Sequence, residues 1–185
     1  MGNVEQCFRA LERGEVIAYP TEAVFGLGCD PDNIEAIKNL LALKKRDKAK
    51  GLILIATESI QLNGYINIDS LCVETKFDVL ASWPGPITWV IPPGDKITDW
   101  VMGKFNSVAV RVTDHPDVQV LCKLFGKPIT STSANLSGEK PCLTVEEVVR
   151  QFGDRVSCVF DGKIGGRNKP TEIRDACSGN VLRQG

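Results

Sequence analysis

Residues 32–56, DNIEAIKNLLALKKRDKAKGLILIA, decide the fold class. Ile34, Ile37, Leu40 and Leu41 fall on one face of a helix, with Asp32 as its cap. The basic run Lys44–Lys50 ends that helix, and Gly51 opens the strand Leu52-Ile53-Leu54-Ile55-Ala56. A strand with no polar face must be covered on both sides, which points to a sheet clothed in helices.

The pattern repeats outward from this unit. Upstream, an amphipathic helix near Val4–Arg13 precedes the strand Val16–Tyr19, which Pro20 stops, and a glycine-containing loop covers Thr21–Pro31. Downstream, helices are expected near Ser59–Tyr65 and Ser70–Ser82, then strands at Ile87–Ile91 and Ser107–Val112 and a helix from Pro116 to Phe125. Pro128-Ile129-Thr130 leads into a serine-rich stretch, Ser131–Ser137. Thr144 with Glu147 forms a capping box for a helix through Phe152, and short strands follow near Ser157–Phe160, Glu172–Asp175 and Val181–Arg183. Alternating strands and helices without a repeat or linker make this an α/β chain with one domain, residues 1–185.

Composition excludes several classes of function. No apolar run reaches the roughly 20 residues of a membrane span, and residues 1–13 lack a secretory signal pattern, so a cytoplasmic protein without membrane contact is expected. The seven cysteines are widely spaced with no C-x-x-C pair, which favours reduced core thiols over disulfides or zinc, and no metal site is assigned. The single histidine, His115, sits at a helix entry before Pro116 and reads as structural. A net charge of -1 argues against a broad nucleic-acid surface.

Three polar segments fall where strands end, the usual ligand crevice of an open α/β sheet. In the first, Tyr19–Cys29, a hydroxyl (Thr21) and a carboxylate (Glu22) follow Pro20, and Gly26 and Gly28 permit close backbone approach. The same residues also suit a simple turn in which Thr21 bonds its own backbone. The second holds Lys44, Lys45, Arg46, Lys48 and Lys50, five basic residues against one acid. A helix C-terminus favours each by about 0.3 to 1 kcal/mol, yet five such charges repel one another, and a polyphosphate relieves that. The third, Thr130–Gly138, offers five hydroxyls and the Asn135 amide, suited to phosphate or ribose oxygens and equally to an ordinary turn. Arg111 lies inside the apolar strand Val108–Val112, where an unpaired guanidinium costs several kcal/mol. An acidic side chain or a ligand carboxylate is its expected partner.

In this order and spacing, VIAYPTEAVFGLGCDP, KGLILIA, WPGPITWV, SVAVRVTDHP, KPITSTSANLSG, PTEIRDA and LRQG resemble the short form of the YrdC/TsaC family of threonylcarbamoyl-AMP synthases, over essentially the whole chain. The resemblance implies a twisted, mostly parallel or mixed open sheet with surrounding helices and a large concave cavity. It implies an activity: L-threonine, bicarbonate and ATP give threonylcarbamoyl-AMP and pyrophosphate, with Mg²⁺, for threonylcarbamoyladenosine modification of tRNA. The family's K-x-R and S-x-N motifs correspond to Lys44 with Arg46, the implied catalytic pair, and to Ser133 with Asn135. These four are the implied ATP contacts, joined by Ser107, Ser131 and Arg183. Thr21, Arg111 and Thr171 match positions that hold threonine. Asp47 stands where the K-x-R motif often continues with proline, a departure that either alters the loop or places a carboxylate near bound magnesium. Ile53-Leu54-Ile55 replaces a histidine found in some members.

Such a reaction needs no protein nucleophile, in keeping with a chain that has no convincing triad. Proton acceptors open to it are Thr21, Glu22 and the carbamate chemistry itself. Implied partners are the tRNA-modifying threonylcarbamoyl transferase complex and a weak tRNA or double-stranded RNA contact. Two other readings stay open: a carbamoyl-adenylate enzyme with another acceptor, and an RNA-binding module built on the basic run.

Overall fold

The computed structural model describes residues 2–185. Asn3 caps α1 (Val4–Glu12): its side chain accepts from the Gln6 amide at 3.0 Å, and the Gln6 side chain accepts from the Asn3 amide at 2.9 Å. This reciprocal box satisfies two N–H groups that the helix start leaves open. The chain continues through β1 (Ile17–Pro20), β2 (Phe25–Gly28), α2 (Ile34–Lys44), β3 (Ile53–Ala56), α3 (Val73–Ala81), β4 (Ile87–Ile91), α4 (Asp99–Met102) and β5 (Val108–Val112). It ends with α5 (Pro116–Phe125), β6 (Ile129–Ser133), α6 (Val145–Phe152), β7 (Cys158–Val159), β8 (Glu172–Asp175) and β9 (Val181–Arg183).

The strands form one open sheet in the order β7-β1-β2-β6-β3-β5-β4-β8-β9. It is mixed, as expected, but its parallel share is the smaller one. The β1/β7, β3/β5 and β4/β8 pairs run parallel and the other five pairings antiparallel. Apolar strands do serve both faces. Ile17 and Tyr19 of β1 join Ile55 of β3 in a cluster with Leu11 of α1 and Leu121 of α5, whereas Ala18 and Leu54 join Ile37 of α2 and Val148 of α6.

Two strands replace segments that read as loops. Phe25–Gly28 pairs with both β1 and β6, and Ile129–Ser133 lies between β2 and β3 near the middle of the sheet. Glycine is depleted in strands, so at Gly26 and Gly28 tertiary pairing overrides a weak intrinsic preference. Gly28 shows why the residue is small. A Cβ there would lie 2.3 Å from the Thr130 carbonyl oxygen and 2.9 Å from the Tyr19 ring. Thr130 is fully buried, and its hydroxyl is satisfied by accepting from the Cys29 amide at 2.8 Å and donating to the Cys29 carbonyl at 3.1 Å.

Smaller corrections concern element ends. Asn33, not Asp32, caps α2, accepting from the Ala36 amide at 3.1 Å, while Asp32 binds the Tyr65 hydroxyl at 2.9 Å and Lys127 at 2.7 Å. Ser59–Leu62 is a single 3₁₀ turn, α3 begins at Val73, and α4 was not expected. Thr144 accepts from the Glu147 amide at 3.2 Å, but the Glu147 carboxylate returns to Leu143, one residue before the cap, at 2.6 Å. Five cysteines are buried, whereas Cys72 and Cys177 are exposed, and none is disulfide-bonded. Burial pushes the Cys29 and Cys122 thiols up to about 12, which disqualifies them as nucleophiles at neutral pH.

The tight β2/β6 approach yields a stability prediction. Gly28→Ala should lower unfolding free energy by about 2 kcal/mol, as expected for a methyl forced into a packed core. Urea denaturation followed by circular dichroism measures it, and an unchanged midpoint would mean that β2 is not held this closely.

Candidate functional site

One face of the sheet opens into a cavity of about 650 Å³. Thr21 reaches it from the β1–β2 turn, Arg46 from beyond α2, and Ser107 and Arg111 from β5 and the residue before it. Ser131 and Ser133 come from β6, and Thr171 and Arg183 from the C-terminal strands β8 and β9 or their edge. Eight of the ten residues singled out in the sequence thus meet on one wall, although they span most of the chain.

The exceptions are Lys44 and Asn135, which do not line the cavity. Lys44 is 3% exposed, and its Nζ donates to the carbonyl of Ser133, to the Asn135 carbonyl at 2.7 Å and to Asn135 Oδ1 at 3.4 Å. The Lys44 carbonyl in turn accepts from the Ser137 amide at 3.1 Å. Asn135 Oδ1 also accepts from the Ser133 hydroxyl at 2.5 Å, and its Nδ2 donates to the Leu136 and Glu139 carbonyls at 2.8 and 3.0 Å. Lysine and asparagine therefore form a clasp behind the wall that fixes the turn presenting Ser133. Burial, and secondarily the Arg46 charge, hold the Lys44 amine down at about 8.

The basic run divides its tasks. Arg46 and Lys50 line the cavity, while Lys48 lies 4.3 Å from the Trp100 ring centroid. Lys45 takes a left-handed φ of 51° that turns the chain out of α2. Arg46 is braced by the Gly51 carbonyl, which accepts from Nε at 3.3 Å and Nη2 at 2.9 Å. Asp47 accepts from the Ala49 amide at 2.8 Å and caps the following 3₁₀ turn, and it is not on the cavity wall. Of the apolar segment Ile53-Leu54-Ile55, Ile53 lines the cavity.

Arg111 is 4% exposed. Its Nη1 donates to the hydroxyls of Thr88 at 3.1 Å and Thr171 at 3.0 Å, and its Nη2 to Glu22 Oε2 at 3.2 Å. Both expected kinds of partner thus remain in play, because an acidic side chain is present while buried Nε has no acceptor among the described residues. Arg183 approaches the same point, donating to the Thr171 carbonyl from Nε at 3.0 Å and from Nη2 at 2.6 Å, and to the Thr171 hydroxyl at 3.2 Å. Burial and the Arg111 charge lower the Arg183 pKa, the mark of two cations brought together. An anion in the cavity would offset the repulsion between the two guanidiniums.

Thr21 is 6% exposed and donates its hydroxyl proton to the Val24 carbonyl at 2.7 Å, as in the simple turn. Its oxygen lone pairs remain available. Glu22 and Thr88 belong to the Arg111 surroundings, and only a buried arginine on a strand signals in sequence that such partners must exist. Among the described residues no cluster of three metal-ligating side chains occurs, and Asp175 is the one acid on the cavity wall. His115 is buried as the residue preceding α5, with Nε2 at 3.0 Å from the Lys163 carbonyl, away from the cavity wall.

Comparison with known proteins matches this geometry to a family. The Sua5–YciO–YrdC family model, described as telomere recombination, matches residues 9–185. A protein of Vibrio campbellii named threonylcarbamoyl-AMP synthase is 59% identical over 185 residues, all of both chains, and one of Photobacterium profundum with that name is 57% identical over the same span. Sua5 of P. abyssi, solved in complex with L-threonine, is 27% identical with a TM-score of 0.86 over 93% of this chain and 50% of its own. The chain therefore spans both of these synthases completely and about half of the P. abyssi protein. By the family match over residues 9–185 and these relatives, the chain belongs to the Sua5–YciO–YrdC family.

Proposed function

We propose that this chain is an ATP-using transferase that joins L-threonine, bicarbonate and ATP into threonylcarbamoyl-AMP, releasing pyrophosphate. The observation that carries this reading is the cationic pair at the cavity wall, Arg111 and Arg183 converging on the Thr171 hydroxyl, in a cavity large enough for a nucleotide and an amino acid. The names of the full-length relatives and the threonine in the P. abyssi Sua5 complex support the choice of substrates.

In this reading the threonine carboxylate docks on Arg111, with the hydroxyls of Thr21 and Thr171 beside it. The triphosphate lies along Arg46 and Arg183, with the Ser107 and Ser131 hydroxyls as donors to nucleotide oxygens and Ser133 held beside them by Asn135. Threonine's amine adds to the carbon of bicarbonate with loss of water, and a carbamate oxygen then attacks the α-phosphorus as the P–O bond to pyrophosphate breaks. The protein supplies position and positive charge at the oxygens where charge accumulates, and no covalent intermediate with a side chain forms. Mg²⁺ bound with ATP would neutralise phosphate charge. A wall bearing the single acid Asp175 fits an ion held mainly by phosphate and water rather than by a protein cage. Lys44 and Asn135 act through the clasp that sets Ser133, so the K-x-R lysine is assigned to the architecture of the nucleotide wall.

In this reading the product is consumed by the transferase complex that modifies tRNA, and the protein works in the cytoplasm. Among the described residues no helix is long and apolar enough to cross a membrane. Direct tRNA contact is expected to be weak, since Lys44 and Lys48 of the basic run are already engaged within the protein.

Pyrophosphate release from ATP and Mg²⁺, measured with and without threonine and bicarbonate and with serine as control, tests the reaction. Release that needs both additions and prefers threonine is expected, and release indifferent to threonine would refute the reading. Arg111→Ala should raise the threonine KM by on the order of 100-fold, the loss of a buried charge-assisted contact, with ATP affinity far less affected. An unchanged threonine KM would show the amino-acid pocket to be misplaced.

Lys44 adds a pH dependence. A triphosphate at the adjoining wall favours the ammonium form, so ATP binding should draw in a proton above pH 8 and weaken by up to about tenfold per pH unit there. Without ligand the sign is opposite. The folded amine sits below its unfolded value of 10.5, so the cost of burying the charge is present below about 8 and is relieved as pH rises toward 10.5. Calorimetric ATP titrations at pH 7 and 9 on the native protein and on Lys44→Met measure this, and identical slopes in the two proteins would remove Lys44 from the coupling.

A further inference from the structure

Glu22 is buried at 2% exposure in the stretch that the site otherwise uses for its wall. Its neighbours Thr21 and Ala23 line the cavity, whereas Glu22 does not. Its carboxylate lies behind the wall, where Oε2 accepts from Arg111 Nη2 at 3.2 Å and Oε1 accepts from the Thr113 hydroxyl at 2.7 Å. It is the one carboxylate paired with Arg111, whose other two acceptors, Thr88 and Thr171, are neutral hydroxyls.

The carboxylate is itself held from several directions. The Thr113 hydroxyl accepts from the His115 amide at 3.0 Å, and the Thr113 amide donates to the Ala56 carbonyl at 2.9 Å, tying the contact to β3. The segment after β7 crosses behind it, with Gly165 donating to the Thr21 carbonyl at 2.9 Å and Arg167 to the Glu22 carbonyl at 3.0 Å. A Cβ on Gly165 would stand 3.0 Å from the Glu22 carbonyl oxygen, so the strap lies flush against this residue.

We infer that Glu22 is a positioning residue: from behind the cavity wall it holds Nη2 of Arg111 and so sets the plane in which the guanidinium faces the carboxylate of an amino-acid substrate. Its position off the wall, with both oxygens already accepting, suits it to holding Arg111 rather than to receiving a proton from the substrate amine. Removing the charge leaves a buried guanidinium with neutral acceptors alone and frees its fork to turn. This inference rests on the proposed threonine reaction and concerns one recognition element within it, the carboxylate.

The test compares L-threonine with L-threoninamide, which lacks the carboxylate charge, on the native protein and on Glu22→Gln. Calorimetric binding of both, with pyrophosphate release alongside, supplies the readouts. The native protein should prefer threonine strongly. In Glu22→Gln the threonine KM should rise by about tenfold while kcat stays within about twofold, and the preference over the amide should shrink by the same factor. ATP binding reports that the fold is intact. Thr113→Val, which removes the partner of Oε1 while keeping the Arg111 pair, should move threonine binding the same way by a smaller factor, and it carries the test if Glu22→Gln does not fold. Equal losses for threonine and the amide would make Glu22 merely structural. Tighter threonine binding would mean that Glu22 competes with the substrate carboxylate. Either result overturns the inference. Native protein that binds threonine but releases no pyrophosphate would refute the reaction alone, and the binding preference would still decide on Glu22. Failure to bind threonine would refute both.

Discussion

Placing a guanidinium in the middle of a sheet costs several kcal/mol unless its N–H groups find acceptors and its charge finds an anion. Arg111 sits on β5 between β3 and β4, and much of the site is arranged around that demand. Thr88 comes from β4, Thr171 from the edge of β8, Glu22 from the β1–β2 turn and Thr113 from the end of β5. These four residues lie far apart in sequence, and each is itself buried. A polar network of this kind is stable only when it is nearly complete, so it fixes the relative placement of the elements that supply it. The nitrogen it leaves over, Nε, is on the residue that lines the cavity.

The same logic explains which parts of the fold were legible. Ile87–Ile91, Pro116–Phe125, Glu172–Asp175 and Val181–Arg183 match their expected ranges because apolar pattern, helix-initiating proline or flanking turn residues mark their limits. Phe25–Gly28 and Ile129–Ser133 escaped because their strand character comes from each other. Gly28 must be bare for the Thr130 carbonyl to approach, and Thr130 must carry a hydroxyl to satisfy Cys29. Glycine alone does not favour a strand. Antiparallel pairing of these two strands also lowers the parallel share of the sheet.

At the site, residue identity was more legible than residue role. The basic run was visible as a cluster of charge, but spacing does not say which side chains turn inward. Lys44 is the last residue of α2 and points into the clasp, whereas Arg46 lies beyond the left-handed turn at Lys45 and so faces the cavity. Similarly, a strand arginine announces that an anion must be near it, yet Glu22 could be named as that anion only once the β1–β2 turn and β5 were seen together.

The difference between lysine and arginine chemistry accounts for this division. Arg111 and Arg183 both donate to the Thr171 hydroxyl, and two cations held this close repel. A lysine in either place could escape by losing its proton, as the depressed Lys44 amine already tends to do at about 8. A guanidinium cannot, since its intrinsic pKa lies too high for burial to neutralise it near pH 7. The repulsion must therefore be met by a third charge of opposite sign, and Glu22 meets it only for Arg111 and only from behind the wall. What remains is directed at the cavity, where a carboxylate and a phosphate together match two guanidiniums better than either alone. Lysine in the clasp and arginine at the wall thus keep anion affinity on groups that hold their charge, and leave the titratable amine to fix the turn that carries Ser133.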